Sequence, residues 1–209
     1  MSGWLNPLFV KPKKETAQRS SSQIEPAATS AATTPSTSAE GALPSAPNSS
    51  PGLPPVLGSA IHWSQTYDVC VCHSPVDIKE AICLVSYLEN PSRGLRCFLQ
   101  HRDANLGGAI ATEICQAVQS SHCCALLITP NFLLDDWCHY MIHQALSEGP
   151  MSKLIIPLVF NLSHAQYPHA LRFYHYKDLS KNPERGYTQV YKTVLKYLED
   201  MVEKSSAFS

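Results

Sequence analysis

Cys123-Cys124-Ala125-Leu126-Leu127-Ile128-Thr129 is apolar at nearly every position rather than at alternate ones, so it reads as a strand covered on both faces of a parallel sheet. Three further runs stand at near-even intervals around it: Tyr67 to Cys72, Leu95 to Leu99 and Leu154 to Phe160. A fifth short strand is expected around Arg172 to Tyr176. Helical patterns fill the gaps. Ser74-Pro75-Val76-Asp77 supplies an N-cap, a proline at the first helical position and an acid at the third, and Ile78, Ala81, Ile82, Val85 and Leu88 follow at helical spacing. A second helix places Ile110, Ile114, Ala117 and Val118 on one face, and a third does the same with Leu133, Trp137, Met141 and Gln144. The last, opening near Asn182-Pro183, carries Tyr187, Val190, Tyr191, Val194, Leu198 and Met201. Strand and helix alternating in this way predict an α/β fold: a central parallel five-stranded sheet in flavodoxin-like order with helices on both faces.

Outward from this core the composition changes. From Ser20 to Ala60 the chain is built almost wholly of Ser, Thr, Pro and Ala, with seven prolines and no Lys or Arg. Such a segment buries too little surface to offset its ordering entropy, so residues 20–60 read as a disordered, fairly extended linker. Residues 61–209 are the one globular domain, about 150 residues being enough for a well-buried core. Residues 1–19 form a basic-hydrophobic leader, in which Trp4, Leu5, Leu8, Phe9 and Val10 sit beside Lys11, Lys13, Lys14 and Arg19; with Glu15 its net charge is +3. That pairing of an apolar wedge with cations predicts docking on an anionic membrane surface. Gly3 rather than a glycine at position 2 excludes the usual myristoylation signal.

The whole chain has a formal net charge of −1, which argues against nucleic acid as a partner. Its eight cysteines are not preceded by a secretory signal, so the expected setting is cytoplasmic, with most thiols acting as small core hydrophobes. Several chemical motifs fail on inspection. His101-Arg102-Asp103 matches a kinase catalytic loop, but no glycine-rich phosphate loop, strand lysine or Asp-Phe-Gly accompanies it. His139 and His143 stand four apart as in a zinc protease, yet the base position beside the first holds Tyr140. A phosphorelay receiver needs an aspartate where the third strand ends Ile128-Thr129-Pro130. Gly107-Gly108 lacks the continuation of a P-loop. No metal or cofactor is expected.

Taken together, Tyr67-Asp68-Val69-Cys70-Val71-Cys72-His73-Ser74 resembles the first-strand box of Toll/interleukin-1 receptor (TIR) domains. Arg102-Asp103-Ala104-Asn105-Leu106-Gly107-Gly108 resembles their second box, Asn131 to Cys138 the start of their third helix, and Phe173-Tyr174 the third-box Phe-Trp. Leu84 to Glu89 and Leu95 to Gln100, with the leader, narrow the likeness to the bridging adaptors of Toll-like receptor signalling.

The resemblance implies a scaffold at the inner face of the plasma membrane. It would join receptor TIR domains to a death-domain-containing TIR adaptor, and self-associate, on the way to NF-kappa-B activation. Phosphoinositide is the implied lipid, the Arg102 to Gly108 loop the implied TIR interface, and Tyr67, Tyr87 and Tyr167 are candidate phosphotyrosines. Two departures stand out. Leu106 occupies a position where many TIR loops have proline. The alternative reading, an NAD-cleaving TIR enzyme, needs a glutamate four residues after the helix-three tryptophan, where this chain has Met141.

Overall fold

The computed structural model describes residues 52–148 and 153–207, so the leader and most of the linker lie outside the described residues. Five parallel strands run in the order β2-β1-β3-β4-β5, as the alternation predicts: β1 Tyr67–Cys72, β2 Cys97–Leu99, β3 Ser121–Ile128, β4 Leu154–Val159 and β5 Lys177–Asp178. All eight residues of β3 are buried, which is why its sequence does not alternate. Helices α1 Ala60–Trp63, α2 Ile78–Leu88, α3 Gln100–Asp103, α4 Ile110–Gln119, α5 Pro130–Leu133, α6 Asp136–Ser147 and α7 Pro183–Ala207 complete the fold. One face of the sheet packs Val69, Val71 and Leu127 against α2 and α7 through Leu84, Leu88, Val190 and Val194. The other packs Cys70, Cys72, Cys124 and Leu126 against α4 and α6 through Ile114, Val118, Met141 and Ile142.

Six of the eight cysteines are buried, and burial pushes the Cys97, Cys123 and Cys138 thiols upward, so these act as the small hydrophobes expected. Cys83 is exposed.

Four expectations need correction. The folded region starts before Ile61: Pro55–Gly58 forms a 3₁₀ turn that buries Val56 and Leu57, and Leu53 packs against the same core. Three apolar residues among prolines suffice here because α7 and Gly94 offer a surface to cover. The fifth strand falls at Lys177–Asp178, after the aromatic stretch rather than on it; Tyr174 N–H donates to Leu171 O in a turn, leaving Phe173 exposed. Ile82 and Ile110 are exposed, and Leu84 takes the buried place in α2. The third helical stretch is broken in two: Thr129 caps α5, Asp135 caps α6, and the buried face of α6 is Cys138, Met141, Ile142 and Ala145.

Polar groups tie both ends of the strands. At the carboxyl ends, buried Asp77 accepts from Thr129 Oγ1 at 2.5 Å and Asn131 Nδ2 at 2.8 Å, joining the exits of β1 and β3. At the amino ends, fully buried Asp68 accepts from Arg96 N–H at 2.8 Å, Arg96 Nη2 at 2.7 Å and His62 Nε2 at 3.0 Å. Arg96 Nη2 also donates to His62 O at 2.6 Å, fastening α1 beneath the sheet. Lys153 Nζ donates to Gln119 O and Ser121 O at 2.7 and 2.6 Å, satisfying carbonyls where α4 ends and β3 begins.

Candidate interaction site

The Arg102 to Gly108 segment leaves β2 at the edge of the sheet, and its root and tip are held differently. At the root, Arg102 forms a fork on Glu89 at 2.6 and 2.9 Å, bonds Asp103 at 2.7 Å, and donates to Cys97 O at 2.7 Å. Those two carboxylates hold the guanidinium more firmly protonated than usual. Asp103 Oδ2 in turn accepts from Leu99 N–H at 2.8 Å. Arg102 and Asp103 therefore close the base of their own loop, and Ala104 to Gly108 stand exposed at its tip. Sequence reasoning missed Glu89, whose place at the end of α2 gives no local sign of a partner thirteen positions on.

The tip is a tight turn. Gly108 N–H donates to Asn105 O at 3.1 Å and Gly107 has φ +82°, the pattern of a type II turn with Leu106 at its first central position. That is the place where proline is favoured, so leucine changes the turn's stiffness and leaves its type intact. Leu106 is fully exposed at the end of the loop. Glu113, in the first turn of α4, accepts from Asn105 N–H with both oxygens at 3.1 and 3.0 Å.

Across the sheet, at the opposite edge, β4, the Phe173 to Lys177 segment and α7 enclose a cleft of about 400 Å³. Its wall includes Ile156, Pro157, Tyr174 and Val190, with Phe173 standing 83% exposed at the rim. The Arg172 guanidinium lies over the Phe173 ring, 4.5 Å from its centre.

A larger, mostly apolar hollow of about 840 Å³ lies at the carboxyl ends of the strands, lined by His73, Pro75, Ile78, His101, Ile110 and Trp137 among others. Its position at the point where strand order reverses is where small ligands bind in many open sheets. Burial holds His73 below its ordinary value, leaving it neutral near pH 7. The one carboxylate in the lining, Asp135, already accepts from Trp137 N–H at 2.8 Å and from Cys138 N–H at 3.4 Å. Met141, 1% exposed, belongs to the core beneath α6 and not to this lining. Among the described residues no cluster of His, Cys, Asp and Glu is arranged to hold a metal ion, and no helix is long and apolar enough to cross a membrane. His139 and His143 are both exposed, and His139 Nε2 meets Leu133 O.

The three tyrosines fall in different settings. Tyr87 bonds Thr188 Oγ1 at 2.8 Å and carries the Arg93 guanidinium on its ring at 3.6 Å. Tyr167 is pushed up to about 12 by burial, its hydroxyl enclosed without a hydrogen-bond partner. Tyr67 is half-buried, edge-on to Phe98, beside a small depression that Asp103 and Glu113 share. The lipid-binding candidates Trp4, Leu5, Leu8, Phe9, Lys11, Lys13, Lys14 and Arg19 lie outside the described residues.

Comparison with known proteins agrees with this fold. Residues 69–193 match the model of the TIR domain family. The chain is 52% identical over 156 residues to the human Toll/interleukin-1 receptor domain-containing adapter protein, a match spanning 73% of this chain and 70% of that one. Among solved structures, the TIR domain of the Toll-related receptor TRR-2 from Hydra magnipapillata aligns with a TM-score of 0.54 and 26% identity, over 62% of this chain and 98% of that one. A TIR-STING receptor from C. gigas aligns at 0.53 and 17% identity, over 64% of this chain and 40% of that one, a likeness that bears on the fold alone.

Proposed function

Because this chain belongs to the TIR domain family, we infer that it is a non-catalytic adaptor that works by TIR–TIR contact, with Leu106 at the loop tip as its anchor. The observation that carries this is the preformed turn presenting an exposed leucine at one edge of the sheet, with a cleft at the other edge whose wall includes Ile156, Pro157 and Val190 beside Lys177 and Gln189. Loop and cleft on opposite edges make a contact between identical chains heterologous: the loop of one enters the cleft of the next, and both ends stay open for further partners. The likeness to a named human adaptor supports the same reading.

In signalling terms, the adaptor takes up receptor TIR domains of the Toll-like class and passes the contact to a TIR adaptor bearing a death domain, upstream of NF-kappa-B. The leader places it on phosphoinositide-bearing membrane at the inner face of the cell. Its support is the sequence of residues 1–19, where cations and apolar side chains stand together.

Changing Leu106 to Ala or Asp tests the anchor. A solvent-exposed loop residue contributes little to stability, so melting should move by no more than about 0.5 kcal/mol. Self-association in sedimentation velocity, and capture of a receptor TIR domain, should each weaken roughly tenfold or more, as for a central anchor. Unchanged association in both variants would remove the loop from the interface.

The absence of catalysis has its own test. Met141 carries no group able to accept a proton or hold a ribose hydroxyl, and it is packed into the core. Purified protein incubated with NAD should release no nicotinamide above a heat-killed control; steady release would overturn the non-catalytic reading.

A further inference from the structure

Glu113 is a residue to which neither the sequence pattern nor the comparisons give a role. Among the described residues its carboxylate is the only side-chain group that bonds the tip of the 102–108 loop: both oxygens converge on Asn105 N–H, at 3.1 and 3.0 Å. The same carboxylate fills the space beside Gly108. A Cβ built there would stand 2.0 Å from Glu113 Oε1 and 2.7 Å from its Cδ, and the three nearest atoms all belong to Glu113. The φ of Gly108 lies outside the left-handed range, so its backbone does not require glycine. Gly107 is the opposite case, with φ +82° and nothing within 4 Å of an added Cβ. The two adjacent glycines thus answer to different demands: Gly107 makes the turn, and Gly108 leaves room for the clamp.

We propose that Glu113 is the positioning residue of the docking loop, holding the Asn105 to Gly108 turn in its bound form before a partner arrives. This rests on the loop-docking reading above and deepens it. A turn four residues long and fully exposed has few contacts of its own to resist alternative conformations, since Ala104 to Gly108 are all exposed. A charge-assisted bond to its first amide, made from the rigid first turn of α4, supplies that restraint. Ordering removed in advance is not lost again on binding.

The test uses the full chain, with self-association read by sedimentation velocity and folding by thermal melting. Glu113→Ala should weaken association about tenfold, the loss of one hydrogen bond to a charged group expressed as a dissociation constant. Gly108→Ala should do the same by displacing the carboxylate. The double variant should be no weaker than either single one, because both remove the same clamp. Glu113→Gln should recover most of the loss, since a single carbonyl can still accept the one N–H. Melting should stay close to the parent in all four. The proposal is overturned if Glu113→Ala associates like the parent, if the two single effects simply add, or if every loss follows a matching fall in melting temperature. Leu106→Ala, run alongside, separates the failures: if it weakens association while Glu113→Ala does not, only the clamp is wrong. If neither weakens it, the loop-docking reading has failed as well.

Discussion

Asp68→Ala should destabilise the fold by about 3 kcal/mol, lowering the melting temperature by roughly 10 °C, because it strips a buried ion pair of one partner. Asp68 has no exposed surface, and its two oxygens collect Arg96 N–H, the Arg96 guanidinium and His62 Nε2. Removal leaves the guanidinium and the imidazole facing a void. Arg96 is partly in contact with solvent, with a side-chain exposure of 24%, which places the effect at the low end for buried pairs. Burial alone would raise the Asp68 carboxyl, but the bonds from His62 and Arg96 outweigh it and hold it below its ordinary 3.8. A depressed carboxylate stabilises the fold above its unfolded value and ceases to do so as pH falls through the folded one. Asp68→Asn should therefore lose stability at pH 7 and converge toward the parent at an acid pH below the depressed value of the folded carboxyl. Denaturant titrations at both pH values would show this, and a difference that does not shrink in acid would assign the loss to shape rather than charge.

The leader carries the second large effect. At about 1 kcal/mol per basic residue near an anionic leaflet, changing Lys11, Lys13, Lys14 and Arg19 to Gln removes about 4 kcal/mol, close to a thousandfold in vesicle binding. Trp4, Leu5, Leu8 and Phe9 remain able to insert, so the binding left should lose most of its salt dependence. Trp4→Ala with Phe9→Ala should also weaken binding, and leave it more salt-sensitive than the parent because screened attraction is all that survives. Vesicles containing phosphoinositide, titrated at two ionic strengths, distinguish the two terms. In cells an unrelated lipid-binding module in place of residues 1–19 should restore signalling. Persistent membrane enrichment of the charge-neutral variant would refute docking by this segment.

Much of the architecture could be read from residue patterns because both of its signals are local. The bare apolar run of β3 reports a strand covered twice, and the spacing in α7 reports a single buried face. Failures came where the deciding partner is remote in sequence. Leu53, Val56 and Leu57 look like stray apolar residues in a proline-rich linker until α7, more than a hundred residues on, supplies the surface they cover. The aromatic stretch from Phe173 to Tyr176 has strand-like composition, yet pairing with β4 begins at Lys177. The loop shows both sides. Its glycines and Leu106 can be picked out in the chain, but the division of labour between root and tip cannot, since Glu89 caps the end of α2 and Glu113 acts from α4. An acid five positions after a Gly-Gly pair, in the first turn of a helix, was the one available sign.

The fastening of α1 beneath the sheet has a mechanical consequence. Any pull along the chain from the amino-terminal side meets the packed Leu53 to Leu57 turn first, and then the His62–Asp68 bond at the foot of β1. Load therefore enters the domain at the foot of a central strand flanked on both sides by parallel neighbours, where separation demands that ladder bonds on two sides shear together rather than open one at a time. The 102–108 loop hangs from β2, the edge strand beside β1, so load entering through β1 acts on a different strand from the one that carries the turn at Leu106.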